Sequence, residues 1–285
     1  MQNKWRDFYF RYVMTSLKPV KTPGNLPAYL MEAAGLGGFV VIAGLCTIFL
    51  EHPSLPVMRS GLSQQIVLRR TILAIIMGLY TAGISSLIGK RSGAHMNPAV
   101  TLSFLSLGKM QPAPAVLYVL AQVAGATCGA LLLSFSTGKL FSHPVINYAM
   151  TEPIPPHGTT SAFIAESIIS FILMFLVLAA TSSKRFEKYT PVVAGSCIAL
   201  FIAVELPFSG MSMNPARSFA ASLAAGKWKH IWIYCVAPVL FMLLAAEIFA
   251  RWKERRSLFG EGKKEQVPEM DPDYLKIPEY PTKNK

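Results

Sequence analysis

The sequence predicts an all-α integral membrane protein with six transmembrane helices and two short re-entrant half-helices, arranged as an inverted repeat. Of its 285 residues, 52% are hydrophobic and the mean hydropathy is +0.41, values that favour a membrane protein over a soluble one. The apolar residues gather into six long runs and two short ones. One pattern, S-G-x-x-M-N-P-A, occurs at both 92–99 and 209–216, which indicates an internal duplication.

The chain before the first apolar run, residues 1–27, is predicted to be a cytoplasmic tail. Within it, residues 5–17 place aromatic side chains at helical spacing beside arginines, a pattern typical of a helix in the lipid headgroup region. A partly disordered basic tail is the alternative. The first span is predicted at 28–50, which is apolar apart from Glu32, and the second at 66–89.

Each Asn-Pro-Ala of the repeated pattern is a predicted helix start, because Asn is a preferred N-cap and Pro is best tolerated at the first helical position. The first helical run ends near Lys109 and the second at Lys227, after only about ten residues, whereas a crossing requires roughly 20. Both are therefore predicted to be re-entrant half-helices. The residues that open them are Asn97, Pro98, Ala99, Asn214, Pro215 and Ala216.

Four further apolar runs complete the predicted spans: 113–136, 161–181, 190–206 and about 230–251. The fourth span carries Glu166 near its start, as the first span carries Glu32. The membrane domain is thus predicted at 28–251, with repeat 1 at about 28–136 and repeat 2 at about 161–251. The tail, 252–285, is charged and proline-bearing, a composition that does not bury enough apolar surface to fold alone.

Loop charge predicts the orientation. Of the 27 lysines and arginines, 20 lie in the tails, around the first motif and in 184–188, on the same side as the termini, and seven lie on the opposite side. The positive-inside rule therefore places both termini of this multi-pass protein in the cytoplasm, with the chain in the cell membrane. Three spans and a half-helix, repeated, make the two halves enter from opposite sides, which is an inverted repeat.

The net charge of +12 does not indicate a nucleic-acid partner, because the basic residues lie in the tails and between apolar runs. Membrane lipid is the expected surrounding. The cysteines lie within apolar runs without paired spacing, so neither a disulfide framework nor a metal site is predicted, and no cofactor is expected. The four cysteines are Cys46, Cys128, Cys197 and Cys235.

The residues before each Asn-Pro-Ala are predicted to line a pore. Non-helical backbone in a bilayer is tolerated only where protein buries it or water bathes it. If the half-helices meet end to end at the midplane, the Asn97 and Asn214 amides offer donors to a passing solute. The backbone carbonyls offer acceptors at Gly93, Ala94, His95, Met96, Gly210, Met211, Ser212 and Met213.

Arg217 distinguishes the two copies of the pattern, because the same place in repeat 1 is Val100. The half-helix dipoles already place roughly half a positive charge each at the centre, and Arg217 adds a full charge. An arginine at membrane depth is by default functional, with snorkelling to the outer interface as the alternative. The His95 side chain either lines the pore or pins its loop by a hydrogen bond.

With these motifs the sequence resembles the aquaporin (major intrinsic protein) family, whose signature is a pair of Asn-Pro-Ala motifs, the second followed by Arg and Ser. Here the second motif is followed by Arg217 and Ser218. The resemblance covers about 28–251. It implies a homotetramer with one pore per protomer, and passive flow of water or small uncharged solutes rather than enzymatic activity.

The resemblance also implies site residues. A four-residue constriction on the outer side of the family's pore corresponds here to Met77, Ile202, Met211 and Arg217. The His and Phe usual in water-selective members are absent, so this filter is more apolar than theirs. Ser218 and Ser222 replace the Asp and Lys of glycerol-conducting members, which favours water. Glu32 and Glu166 resemble the family's paired buried glutamates, and Glu205 is expected to be a solvated charge at the outer mouth.

These observations favour a passive water channel that excludes ions and protons. The alternative within the fold is a facilitator of other small neutral solutes, such as glycerol, ammonia, peroxide or metalloid hydroxides. A coupled transporter needs titratable residues along the pathway, and spans two, three and five are interpreted as having none at mid-depth. A scaffold or adhesion protein would need neither Arg217 nor both asparagines.

Overall fold

The computed structural model describes residues 25–258. The predicted headgroup helix at 5–17 and residues 259–285 of the predicted tail lie outside the described residues. Within residues 25–258, all regular elements are helical, and six helices are long and apolar enough to cross a membrane. The main helices are α1 (Leu26–Glu51), α2 (Ile66–Ser92), α3 (Pro98–Ser106), α4 (Pro112–Thr137), α5 (Thr159–Thr181), α6 (Thr190–Ser209), α7 (Pro215–Ala225) and α8 (Ile231–Leu258).

These helices confirm the predicted fold class: α3 and α7 are the two half-helices, and the other six are the spans. Short helical turns lie in the connections, at Pro56–Arg59, Gly61–Gln64, Lys139–Ser142, Asn147–Ala149 and Glu187–Tyr189. At 9 and 11 residues, α3 and α7 are far shorter than the roughly 20 residues of a membrane crossing.

Helix α6 extends to Ser209, beyond the predicted end of the fifth span at 206. Pro207 lies inside the helix without ending it. The helix is closed instead by Gly210, which has a φ of 81° and donates its N–H to Leu206 O at 2.9 Å. This left-handed conformation is favourable for glycine, which is why the helix ends at the repeated Ser-Gly and not at the proline.

Helix α8 continues to Leu258, past residue 252, where the tail was predicted to begin. Along this exit Arg251 Nε donates to Glu247 Oε1 at 2.6 Å, a pair one helical turn apart. A helix that leaves a bilayer can continue in water when charged side chains support it. The change from apolar to charged composition therefore marks the end of the apolar surface and not the end of the helix.

The packing of the helices follows the duplication. Helix α1 packs against α4, and its counterpart α5 packs against α8, while α2 and α6 pack against each other and join the two halves. Each half-helix packs on the last span of the other repeat, α3 on α8 and α7 on α4. The centre of the molecule is therefore built by both repeats together.

Large apolar side chains are exposed on the outside of the helices. Phe135 is 91% exposed, Leu87 77% and Leu79 69%. A soluble protein rarely leaves so many large apolar groups in water, whereas a bilayer covers them. This surface agrees with a multi-pass membrane protein.

The contact between α2 and α6 depends on two glycines. A Cβ at Gly78 would lie 2.7 Å from the Gly195 carbonyl oxygen, and a Cβ at Gly195 would lie 2.4 Å from the Gly78 oxygen. Small residues allow membrane helices to approach this closely. Gly78 and Gly195 thus set the distance between the two repeats.

We expect Gly78→Ala to destabilise the protein by about 1–3 kcal/mol, because the added methyl group meets backbone atoms that have to move. Thermal unfolding in detergent measures the effect. Gly83→Ala on the same helix is the matched control, since nothing lies within 4 Å of a Cβ at that position. Equal stability of the two variants would contradict the assigned close contact.

Candidate functional site

The two Asn-Pro-Ala motifs cap the half-helices. Asn97 Oδ1 accepts a hydrogen bond from Ala99 N at 2.9 Å, and Asn214 Oδ1 accepts from Ala216 N at 3.1 Å and Arg217 N at 3.3 Å. Both asparagines have extended backbone, and the prolines after them occupy the first helical turn. The sequence folds in this way because an Asn side chain replaces the acceptor that the first helical N–H groups lack.

The asparagine amides also connect the two loops. Asn97 Nδ2 donates to Met213 O, and Asn214 Nδ2 donates to Met96 O, both at 2.7 Å. Met96 and Met213 have positive φ angles of 44° and 54°, a backbone conformation uncommon for residues other than glycine. The half-helix starts therefore lie against each other, and each amide retains a second N–H for another acceptor.

Two buried glutamates hold the loop backbones, and both have 0% exposure. Glu166 Oε1 accepts from Ser212 N and Oε2 from Met213 N, each at 2.7 Å. In the other repeat, the Glu32 carboxylate accepts from His95 N at 3.0 Å and also from Met96 N. Each carboxylate satisfies two adjacent N–H groups at once, which the loop needs because, unlike a helix, it does not satisfy its own backbone N–H groups.

A serine and a tyrosine complete each loop, and the tyrosines are not among the residues predicted from the sequence. Tyr118 OH donates to Ser92 O at 2.7 Å, and Tyr234 OH donates to Ser209 O at 2.6 Å. Both serines also accept from a loop N–H through Oγ at 3.0 Å. The available signal was that each tyrosine interrupts an apolar run about 20 residues after its motif.

The His95 side chain packs against its own half-helix. Its Nδ1 lies 3.2 Å from Thr101 Oγ1, and its ring stacks on Phe104 with the centroids 4.7 Å apart. The structure therefore favours the alternative in which His95 pins its loop. In repeat 2 the same position is Ser212, whose Oγ lies 2.5 Å from Ser218 Oγ.

The four residues predicted for the filter come from four elements of the chain. Met77 of α2, Ile202 of α6 and Met211 of the second loop belong to one apolar cluster, with exposures of 1%, 5% and 3%. The fourth residue, Arg217 at the start of α7, donates from Nη1 to Met211 O at 2.8 Å. The Arg217 guanidinium is therefore held at the backbone of the second loop, at Met211.

Several of the predicted pore carbonyls already accept hydrogen bonds within the protein. Met96 O and Met213 O accept from the asparagine amides, and Met211 O accepts from Arg217. A carbonyl oxygen has two lone pairs, so each keeps one further acceptor position. The ladder of free acceptors expected from the sequence is therefore partly occupied.

The expectation that Glu205 is a solvated charge is wrong. Its side chain is 5% exposed and lies close to Ser209 and to the Met211 N–H of the second loop. The sequence showed only that Glu205 lies one helical turn after Ile202. Helix α6 packs against both α2 and α5, and spacing along the chain does not reveal which of its side chains this packing buries.

The comparisons with known proteins agree with this architecture. The family model of the major intrinsic protein matches residues 20–249. Aquaporin NIP3-1 of Oryza sativa subsp. japonica is 34% identical over 183 residues, 64% of this chain and 57% of that protein. Nodulin-26 of Glycine max is 33% identical over 179 residues, 62% of this chain and 64% of that protein. The chain thus covers less than two thirds of the length of these relatives.

The fold is similar to the X-ray structure of the aquaglyceroporin from Plasmodium falciparum. The TM-score is 0.66 at 22% identity, and the match covers 78% of this chain and 94% of that one. The paired half-helices within six spans define a membrane channel and not an enzyme. The chain belongs to the major intrinsic protein family, as the resemblance of its motifs implied.

We expect Tyr234→Phe and Tyr118→Phe each to lower the free energy of unfolding by about 1–2 kcal/mol, because a buried serine carbonyl loses its donor. Thermal unfolding in detergent is the measurement. Tyr189→Phe is the control, since Tyr189 is 48% exposed. Wild-type stability of both buried variants would show that the loops do not depend on these donors.

Proposed function

We propose that this protein is a passive channel for water that excludes ions and protons. The observation that carries the proposal is the reciprocal bonding of Asn97 and Asn214 across the half-helix ends. Each amide keeps one N–H, which can donate to the oxygen of a water molecule passing in single file. The relatives named aquaporins support this solute.

The exclusion of cations follows from the charges at the centre. The N-termini of α3 and α7 meet there, and each helix end carries roughly half a positive charge. Arg217 adds a full positive charge beside the apolar residues of the filter. A cation would lose its hydration shell in this region without meeting an acceptor of opposite charge, so its passage is unfavourable.

The second candidate is a channel for other small neutral solutes, among them glycerol, ammonia, peroxide and metalloid hydroxides. The observation that favours it is the apolar filter of Met77, Ile202 and Met211. Flexible methionine side chains adapt to the carbon skeleton of a solute in a way that a rigid polar filter does not. Of the two candidate solutes, water needs for its passage only the hydrogen-bond donors that the Asn97 and Asn214 amides already provide.

The remaining features of the proposal follow the family resemblance and the charge pattern. Residues 28–251 form the channel domain, and both termini lie in the cytoplasm. The filter lies on the opposite, outer side of the cell membrane. The functional unit is a homotetramer with one pore in each protomer. The exposed apolar side chains on the outer helix faces support contacts with lipid and with other copies.

Osmotic light scattering of reconstituted liposomes tests the proposal. We expect liposomes that contain the protein to shrink several-fold faster than empty ones after a step of an impermeant solute. Phe135→Ala is the matched variant that should conduct as the wild type does, because Phe135 is 91% exposed on the outer face. Shrinkage at the rate of empty liposomes would overturn the water channel, and rapid re-swelling in glycerol would favour the second candidate.

Replacement of Arg217 by Val gives repeat 2 the residue that repeat 1 has at Val100. We expect Arg217→Val to retain water flow and to admit larger solutes such as glycerol, because the guanidinium no longer narrows the filter. The ratio of glycerol to water permeability in liposomes measures this change. An unchanged ratio would show that Arg217 does not form the filter.

A further inference from the structure

Three hydroxyl groups join the connection between the two repeats to the second pore loop. This inter-repeat connection comprises residues 138–158, between the end of α4 and the start of α5. Thr151 Oγ1 lies 2.8 Å from Ser218 Oγ, which in turn lies 2.5 Å from Ser212 Oγ. All three side chains are buried, so each hydroxyl depends on its protein neighbours for hydrogen bonds.

The number of hydrogens fixes the direction of this chain of hydroxyls. Each hydroxyl has one hydrogen to donate. Ser212 Oγ donates to the Asn214 carbonyl oxygen at 3.1 Å, so the hydrogen between the two serines comes from Ser218. Ser218 has then used its hydrogen, and Thr151 is the donor in the remaining contact. The chain of hydroxyls therefore begins at Thr151 and ends at the backbone of Asn214.

The chain of hydroxyls contacts the second pore loop on both sides of its Asn-Pro motif. Ser212 directly follows Met211 in the sequence, and Ser218 directly follows Arg217. Each serine is thus the neighbour of a residue predicted for the filter. Asn214 N also donates to Ser212 Oγ at 3.2 Å, which ties the middle of the loop to the same group. The hydroxyls therefore hold the backbone segment that carries two of the filter side chains.

The corresponding hydroxyl in repeat 1 is held by a different kind of partner. Thr101 takes the place of Ser218, four residues after the asparagine of its motif. Thr101 Oγ1 accepts a hydrogen bond from Gln122 Nε2 at 3.1 Å, and Gln122 belongs to the membrane-spanning helix α4. The partner of this hydroxyl therefore lies on a span in repeat 1, whereas in repeat 2 it lies in a connection between helices.

The sequence of α8 explains why repeat 2 uses another partner. Counted from the tyrosine that each repeat places against its loop, the counterpart of Gln122 is Pro238. A proline side chain has no hydrogen-bonding group. At this position α8 offers Ser218 no donor, and Thr151 provides one. The second pore loop thus depends on the inter-repeat connection, whereas repeat 1 supplies its own partner.

Backbone contacts also hold the inter-repeat connection against the second pore loop. Ile154 N donates to Phe208 O, just before that loop, at 3.3 Å. A Cβ at Gly210 would lie 3.2 Å from Thr151 Cα, so the backbones of the two segments are in close contact. The Thr151 hydroxyl is therefore held beside Ser218 by the path of the chain around it.

We propose that Thr151 is a positioning residue for the filter: its hydroxyl fixes, through the two serines, the loop segment that carries Met211 and Arg217. This inference rests on the proposed function, in which these two residues restrict passage. Without the Thr151 donor, the Ser218 hydroxyl loses a buried hydrogen bond, and the segment is held less tightly. The filter then no longer keeps a single width, and solutes larger than water enter it more readily.

Removal of the Thr151 hydroxyl with little change of shape tests this inference. We expect Thr151→Val to raise the ratio of glycerol to water permeability in liposomes several-fold, because valine has no donor. Thr151→Ser keeps the hydroxyl and should retain the wild-type ratio. So should the control Thr160→Val, which makes the same change at an exposed residue of α5. Ser218→Ala interrupts the chain of hydroxyls and should also raise the ratio, which provides a second variant if Thr151→Val does not fold.

Thermal unfolding in detergent gives a readout that does not depend on conduction. A double-mutant cycle between Thr151→Val and Ser218→Ala measures how strongly the two hydroxyls are coupled. We expect Thr151→Val to lower the unfolding temperature of the wild-type protein. The same substitution should lower it less in the Ser218→Ala background, because the partner of the hydroxyl is already gone.

The outcomes separate this inference from the proposed function. An unchanged permeability ratio in a folded Thr151→Val protein would overturn the positioning role of Thr151, and so would an equal change in Thr151→Ser. Additive losses of stability in the cycle would overturn it too, because the two hydroxyls would then act independently. A wild-type protein that does not conduct water would overturn the proposed function instead, while the stability cycle would still report on the chain of hydroxyls.

Discussion

The need to satisfy backbone N–H and C=O groups inside a bilayer governs the centre of this molecule. Two loops leave the helical conformation at the depth where lipid offers no hydrogen bonds. Glu32 and Glu166 accept from their N–H groups, and Tyr118 and Tyr234 donate to their carbonyls. In the proposed pore, the groups left for a solute include the second N–H of each asparagine amide and the second lone pair of the loop carbonyls.

The duplication separates the residues that support this network from those that modify it. The supporting glutamates, serines, tyrosines and asparagines occur in both halves and make equivalent contacts. The halves differ, among other positions, at Ala94 against Met211, His95 against Ser212, Ile88 against Glu205, and Val100 against Arg217. Because the framework is held by the shared residues, the other positions could change without loss of the half-helices. The proposed filter residues Arg217 and Met211 thus lie outside the set of residues that the two halves share.

The fold could be predicted from the sequence to within a few residues at most helix ends. Run length distinguished spans from half-helices, and the Asn-Pro pair marked where each half-helix begins. Two helix ends were predicted too early. Pro207 did not end α6, because Gly210 provides the better terminus, and α8 continued past the last apolar residues. In the candidate site, the contacts of Tyr118 and Tyr234 and the burial of Glu205 were missed. These depend on residues far apart in the chain, as the 118 positions between Asn214 and Met96 illustrate.

The sequence by itself determined that the chain crosses the membrane six times, that it contains two half-helices, and that repeat 2 alone has an arginine after its motif. Hydrophobicity, helix capping and duplication are local properties of the chain, so they can be read along it. Only the tertiary structure decided that each asparagine donates to the opposite loop, that His95 packs on its own half-helix, and that Glu205 is buried. These outcomes depend on which side chains from separate helices come within a few ångström of each other, and sequence spacing does not specify those distances.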